Sequence, residues 1–150
     1  MRFEQTRDVL EHARTFYQRV SELYEKLEGH ADQQRVKMLL DYLGDKASEL
    51  SAALEEFVGE TPEGVLDTWF QYAHNDETFV CPDVDLGRDM SVEDVMKVAA
   101  QMHDCAVKVF TELAKCADND EVRKVFENLS RKTQKEWEKL SRNVGMLLDM

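Results

Sequence analysis

Displaced by 86 residues without a gap, the beginning of this chain lies on its end. Asp8-Val9 meets Asp94-Val95, Ala13 meets Ala99 and Leu27 meets Leu113. Ala31-Asp32 then meets Ala117-Asp118, Val36 meets Val122, Leu43 meets Leu129 and Leu54 meets Leu140. Coincidence of apolar positions and turn residues over so long a stretch implies one supersecondary unit used twice. A unit that cannot bury its apolar face alone buries it against its copy.

Hydrophobic spacing identifies the unit. Phe3, Leu10, Tyr17 and Tyr24 are seven apart, as are Ala13, Val20 and Leu27. Steps of three and four put these residues on one face of a helix. Gly29 and His30 break the pattern, and Asp32 is the expected N-cap of the next helix. That helix carries Val36, Leu40, Leu43, Ala47, Leu50, Leu54 and Phe57, and Gly59 is its expected stop. Residues 3–58 therefore read as an antiparallel helical hairpin, and residues 92–148 as its repeat. Ser91 with Asp94, and Asp118 with Glu121, read as capping boxes that open the two later helices.

Both prolines, Pro62 and Pro82, fall in the connection 59–91. Such a connection can run back along a helix of this length, about 39 Å at 1.5 Å per residue. The expected fold is all-α, a single antiparallel four-helix bundle of two hairpins joined by one long crossover. Thr61-Pro62 starts a short helix, with Val65, Leu66, Trp69 and Phe70 on one side. From Glu60 to Asp89 there are eight acidic residues and one cation, Arg88. That stretch reads as a solvated loop pinned by aromatic side chains, or as a docking surface formed by Trp69, Phe70, Asp76, Glu77, Asp83 and Asp85.

Net charge narrows the partners. Nineteen cationic and 31 acidic residues leave −12, which disfavours nucleic acid and anionic membranes. A protein partner is expected to be basic, bound less tightly as salt rises. The charged start, Met1-Arg2-Phe3-Glu4, has no signal-like apolar stretch. Cys81, Cys105 and Cys116 are odd in number and lack CxxC spacing, so free thiols in the cytoplasm are expected.

At this point the chain resembles the ferritin-like superfamily, most closely its rubrerythrin-like branch. The resemblance is carried by Val20-Ser21-Glu22-Leu23-Tyr24-Glu25-Lys26-Leu27 and Ala106-Val107-Lys108-Val109-Phe110-Thr111-Glu112-Leu113, each leading through Ala-Asp into the second helix of its hairpin. Di-iron members place a lone Glu on each of two helices and a Glu-x-x-His on each of the other two. Here the lone Glu positions correspond to Tyr17 and His103. The paired positions correspond to Ala47 with Leu50 and to Thr133 with Glu136. The resemblance therefore implies the fold and a homodimer, with a degenerate metal site.

The seam points to the same level without the resemblance. It is mostly apolar, and its polar exceptions, Tyr17, His103, Thr133 and Glu136, cluster midway along the helices. Three arrangements are open: a buried hydrogen-bonded cluster centred on His103 and Glu136; a mononuclear iron, manganese or zinc site on His103, Glu136 and Tyr17; or Glu136 turned to solvent with no cluster. The leading expectation is a non-catalytic bundle, without cofactor, that acts through protein interaction. The alternative is a mononuclear redox or peroxide-handling protein. A third is a small-ligand bundle with a cavity beside Ala47.

Overall fold

The computed structural model describes residues 2–72 and 84–148. In chain order its elements are β1 (Arg2–Gln5), α1 (Thr6–His30), α2 (Gln34–Glu60), α3 (Glu63–Leu66), β2 (Trp69–Tyr72), α4 (Val92–Cys116) and α5 (Asp120–Leu148). The four long helices form the bundle, and β1 pairs antiparallel with β2.

The repeat reappears in the helix ends. α1 and α4 are both 25 residues long, and an offset of 86 carries Thr6 onto Val92 and His30 onto Cys116. The same offset carries Gln34, the start of α2, onto Asp120, the start of α5. Local chemistry explains the coincidence. The Ser91 backbone N–H donates to Asp94 at 3.0 Å, and Asp94 N–H donates to the Ser91 hydroxyl at 3.0 Å. At the equivalent place in α1, the Gln5 N–H donates to Asp8 at 3.2 Å. Each arrangement satisfies donors that a helix start leaves free.

The expected seams are the buried faces. Leu10, Ala13, Tyr17, Val20, Tyr24 and Leu27 of α1 are buried, as are Val36, Leu40, Leu43, Ala47 and Leu54 of α2. Two side-chain hydrogen bonds fasten this hairpin, from Ser21 Oγ to the Gly44 carbonyl at 2.9 Å and from Ser51 Oγ to the Arg14 carbonyl at 3.2 Å. Antiparallel α4 and α5 meet through Thr111 and Ser130, whose hydroxyls are 3.3 Å apart.

Several local expectations are corrected. Phe3 belongs to β1, not to the first helix, because Arg2–Gln5 pairs with Trp69–Tyr72 and the cap at Gln5 delays the helix to Thr6. Trp69 and Phe70 accordingly lie on β2 and not on the short helix. The N-cap of α2 is Gln33, one residue beyond Asp32, whose N–H donates to the Arg88 carbonyl. At α5 the side chain of Asn119, not Asp118, accepts from the N–H groups of Glu121 and Val122. α2 also runs one residue past Gly59, to Glu60.

Two backbone bonds locate the ends of the crossover. Thr6 N–H donates to Thr68 O at 3.0 Å, beside the start of α1, and Asp32 N–H donates to Arg88 O at 3.0 Å, just beyond its end. The connection therefore travels the length of the bundle. Its first end is fastened further by the buried Thr6 hydroxyl, which donates to Thr68 O at 3.1 Å, and by Arg7, which reaches Glu63 at 2.6 Å and Asp67 at 2.8 Å. Among the described residues no helix is long and apolar enough to cross a membrane.

Candidate functional site

Four large apolar residues packed against the core are only half-buried: Leu50 and Phe57 on α2, and Trp137 and Leu140 on α5. The reason is geometric. α2 and α5 do not close over the middle of the bundle, and a cavity of about 280 Å³ lies between them. Its floor is Tyr17, Ala99 and Met102 from α1 and α4, and its walls are the facing sides of α2 and α5. A smaller space of about 30 Å³ continues past Tyr17 toward Phe57. At one end Asn143 Nδ2 donates to the Tyr42 hydroxyl at 3.1 Å, which ties α5 to α2.

The repeat governs the lining. The offset of 86 relates Tyr17 to His103, Ala47 to Thr133 and Leu50 to Glu136, and all six residues line this cavity. Equivalent positions of the two hairpins thus converge on one space. The halves differ in what they bring. The first contributes small and apolar side chains, and the second contributes polar ones.

The four polar residues do not form the expected network. Among the described residues, His103 and Glu136 share no hydrogen bond; His103 Nε2 meets Gln134 Oε1 at 3.2 Å instead. The imidazole stacks on Trp137, with ring centroids 4.8 Å apart and planes 14° from parallel. Burial pushes its pKa down, an effect that the Gln134 contact partly opposes. Glu136 is half-buried beside the Lys46 ammonium at the mouth of the cavity. A carboxylate there keeps its water and avoids the cost of full burial.

Tyr17 is different. Its hydroxyl is buried and has no hydrogen-bond partner among the described residues. Thr133 lies alongside, and its own hydroxyl donates back to the Leu129 carbonyl at 2.7 Å. Burial pushes the phenol pKa up to about 12, with Thr133 offsetting only part of the shift. A phenol oxygen that is fully buried with an unmet hydrogen bond is a cost to the fold. Sequence periodicity identified the phenol as a seam residue, but carried no signal that its partner would be missing.

Of the other expected site residues, Trp69 is 62% exposed and Asp85 is exposed. The Phe70 side chain and the residues Asp76, Glu77 and Asp83 lie outside what the structure describes. Sequence reasoning missed Trp137 and the lysines at the cavity mouth. Lys46 and Lys132 sit at positions equivalent under the repeat, which was a readable signal.

With this geometry in view, a comparison with solved structures finds a protein from Thermotoga maritima described as ferritin-like and diiron-carboxylate. It shares 16% identity, and the match covers 95% of each chain with a TM-score of 0.63. The fold of this chain is ferritin-like. No protein-family model and no curated protein sequence matches it.

A di-iron centre does not fit the residues present. The six converging positions offer one imidazole and one carboxylate, where such a centre takes about six donors, four of them carboxylates. Among the described residues, no three His, Cys, Asp or Glu side chains come close enough to hold a metal.

Proposed function

We propose that this chain is a ferritin-like bundle whose interior serves as a binding site for a small organic molecule, in place of di-iron chemistry. The observation that carries this reading is the 280 Å³ space between α2 and α5, walled by apolar side chains that include Ala47, Leu50, Trp137 and Leu140. Its size is close to the lower end of small-molecule sites, about 300 Å³. The Ala47 and Leu50 side chains supply apolar walls where the di-iron pattern would require a carboxylate and an imidazole. The degenerate metal site and the rubrerythrin-like ancestry belong to this proposal; they rest on the repeat and on the segments 20–27 and 106–113.

The test is a calorimetric and thermal-shift screen of small aromatic and aliphatic compounds on the full chain. Binding that raises Tm, and that is abolished when Ala47→Leu fills the space, supports the reading. Metal analysis of protein expressed in supplemented medium checks the alternative. One equivalent of iron, manganese or zinc, lost in His103→Ala or Glu136→Ala, would replace this reading with the mononuclear one.

A second reading, interaction with a basic protein partner through the crossover, is favoured by the exposure of Trp69 at 62%. A photo-crosslinker at position 69 that gives one specific adduct, lost at high salt, supports it. A homodimer and cytoplasmic residence are part of the same proposal. Light scattering that returns a monomer removes the first, and fractionation of cells checks the second.

A further inference from the structure

Charge is divided between the two helices that border the cavity. α2 carries six carboxylates against three cations, and α5 carries seven cations against five carboxylates. Neither α1 nor α4 has more cations than carboxylates. The open side sharpens the division. On α2 it presents Asp45, Glu49 and Glu56, spaced by four and seven; on α5 it presents Lys132, Lys135 and Lys139, spaced by three and four. Such spacings keep each trio on one stripe of its helix. Glu49, Lys132 and Lys139 border the cavity, which fixes the side. All six are exposed. Among the described residues only Glu49 of the six forms an ion pair, with Lys46 at 3.2 Å. The two residues of contrary sign at the mouth, Lys46 and Glu136, lie beside each other.

Between the stripes the surface is apolar. Leu50, Phe57, Trp137 and Leu140 are only half-buried there. At one end Met38 is 52% exposed and Met146 is 68% exposed. Asn143, near the end of α5, meets Tyr42, near the start of α2, so the two helices run antiparallel and this bond sets a common level. Counted from it, Lys139 stands level with Asp45, Lys135 with Glu49 and Met146 with Met38, each within about one residue's rise of 1.5 Å. Lys132 falls about one turn from Glu56. A twofold axis parallel to the helices, laid along the mouth, keeps every level and exchanges the two sides. It seats α2 of one copy on α5 of the other, carboxylates on lysines and Met38 near Met146. A twofold axis across the helices would instead set α2 on α2 and α5 on α5, like charge on like.

We infer that the open face of α2 and α5 is the contact surface of a symmetric dimer, in which α2 of each copy packs on α5 of the other. This rests on the homodimer reading above and names its interface; it does not depend on ligand binding. Two neighbouring helices of this length offer about 40 Å by about 20 Å, or about 800 Å² from each copy, the area of a stable specific interface. Each copy carries −12, but physiological salt screens that repulsion beyond about 8 Å, so the opposed stripes decide the contact.

Sedimentation velocity of the full chain at physiological salt provides the test, with two charge-reversed variants. One carries Asp45→Lys, Glu49→Lys and Glu56→Lys on α2; the other carries Lys132→Glu, Lys135→Glu and Lys139→Glu on α5. The unaltered chain is expected to dimerise. Each variant alone is expected to dimerise at least about tenfold more weakly, since six exposed pairs each contribute a modest factor. The α2 variant also brings the net charge of the chain closer to zero, so its loss of dimer reports the local contact and not general repulsion. Mixed in equal amounts, the two variants are expected to dimerise with one another, because every lysine stripe then meets a carboxylate stripe. That recovery also shows that both variants fold. A chain that is monomeric throughout overturns the interface and the homodimer reading together. A dimer indifferent to both variants overturns this interface and leaves the homodimer standing. So does a mixture that fails to recover although circular dichroism shows both variants folded.

Discussion

The imidazole of His103 lies flat on the indole of Trp137, 4.8 Å between ring centroids. That contact joins α4 to α5 at the edge of the cavity, and it half-buries a group that titrates near neutrality. Burial favours the neutral ring, so the folded chain binds this proton less readily than the unfolded chain does. Stability from this group is therefore present above about pH 6.5 and is lost as pH falls through the lower folded pKa. Proton NMR of the ring is expected to titrate below the ordinary histidine value. Gln134→Ala removes the contact that opposes the shift and should lower the midpoint further; a midpoint that moves up contradicts the assignment.

Tyr17→Phe should stabilise the protein. The buried hydroxyl lacks a partner, and leaving such a group unsatisfied costs about 1–3 kcal/mol. A gain of about 1 kcal/mol is expected in urea unfolding, with an unchanged denaturant slope. A loss of stability would mean that the phenol is bonded in solution.

The same phenol has an alkaline signature. With its pKa raised from 10.0 to about 12, the neutral form is favoured in the fold. Its contribution is complete below about pH 10 and is lost as pH rises through the folded value. Absorbance titration should show a late phenol step, near the alkaline limit of the folded state, that is absent in Tyr17→Phe.

Ala47→Leu fills the cavity from the α2 wall. The added methylenes leave water without displacing a packed neighbour, for a gain of about 1 kcal/mol, or about 3 °C in Tm. Stabilisation together with loss of ligand binding is the expected pair. Destabilisation would indicate that the space is too narrow for the added branch and that overpacking dominates.

Ser91→Ala tests the cap at the second hairpin. It removes the acceptor for the Asp94 N–H and should cost about 1 kcal/mol. In Gln5→Ala at the equivalent position the backbone bond to Asp8 survives, and what is lost is the exposed bond from the Gln5 amide to the Asp67 carbonyl at 3.3 Å, so the cost should be smaller.

Much of the architecture was legible before the structure. The seams required only helical periodicity, and the repeat offset of 86 set which positions correspond. Periodicity put Tyr17, His103, Thr133 and Glu136 at one level and the resemblance added Ala47 and Leu50; in the structure all six line one cavity. The start of the first helix was not legible, because Phe3 continues the seven-residue spacing although its backbone is paired with β2. Pairing between segments some 65 residues apart leaves no trace in local periodicity.

By itself the sequence determined the helices, their apolar faces and their twofold repetition, since these depend on spacing along one strand of chain. Only the tertiary structure decided how far α2 stands from α5. That separation turns a polar layer into an open cavity. It leaves the Tyr17 hydroxyl unmet, directs His103 to Gln134 and sets Glu136 beside Lys46 at the mouth. Periodicity states which side of a helix faces inward, but the distance to the opposite helix depends on the sum of side-chain volumes between them. Small Ala47 and Ala53 on one wall face the larger Trp137 on the other, and no single segment encodes that balance.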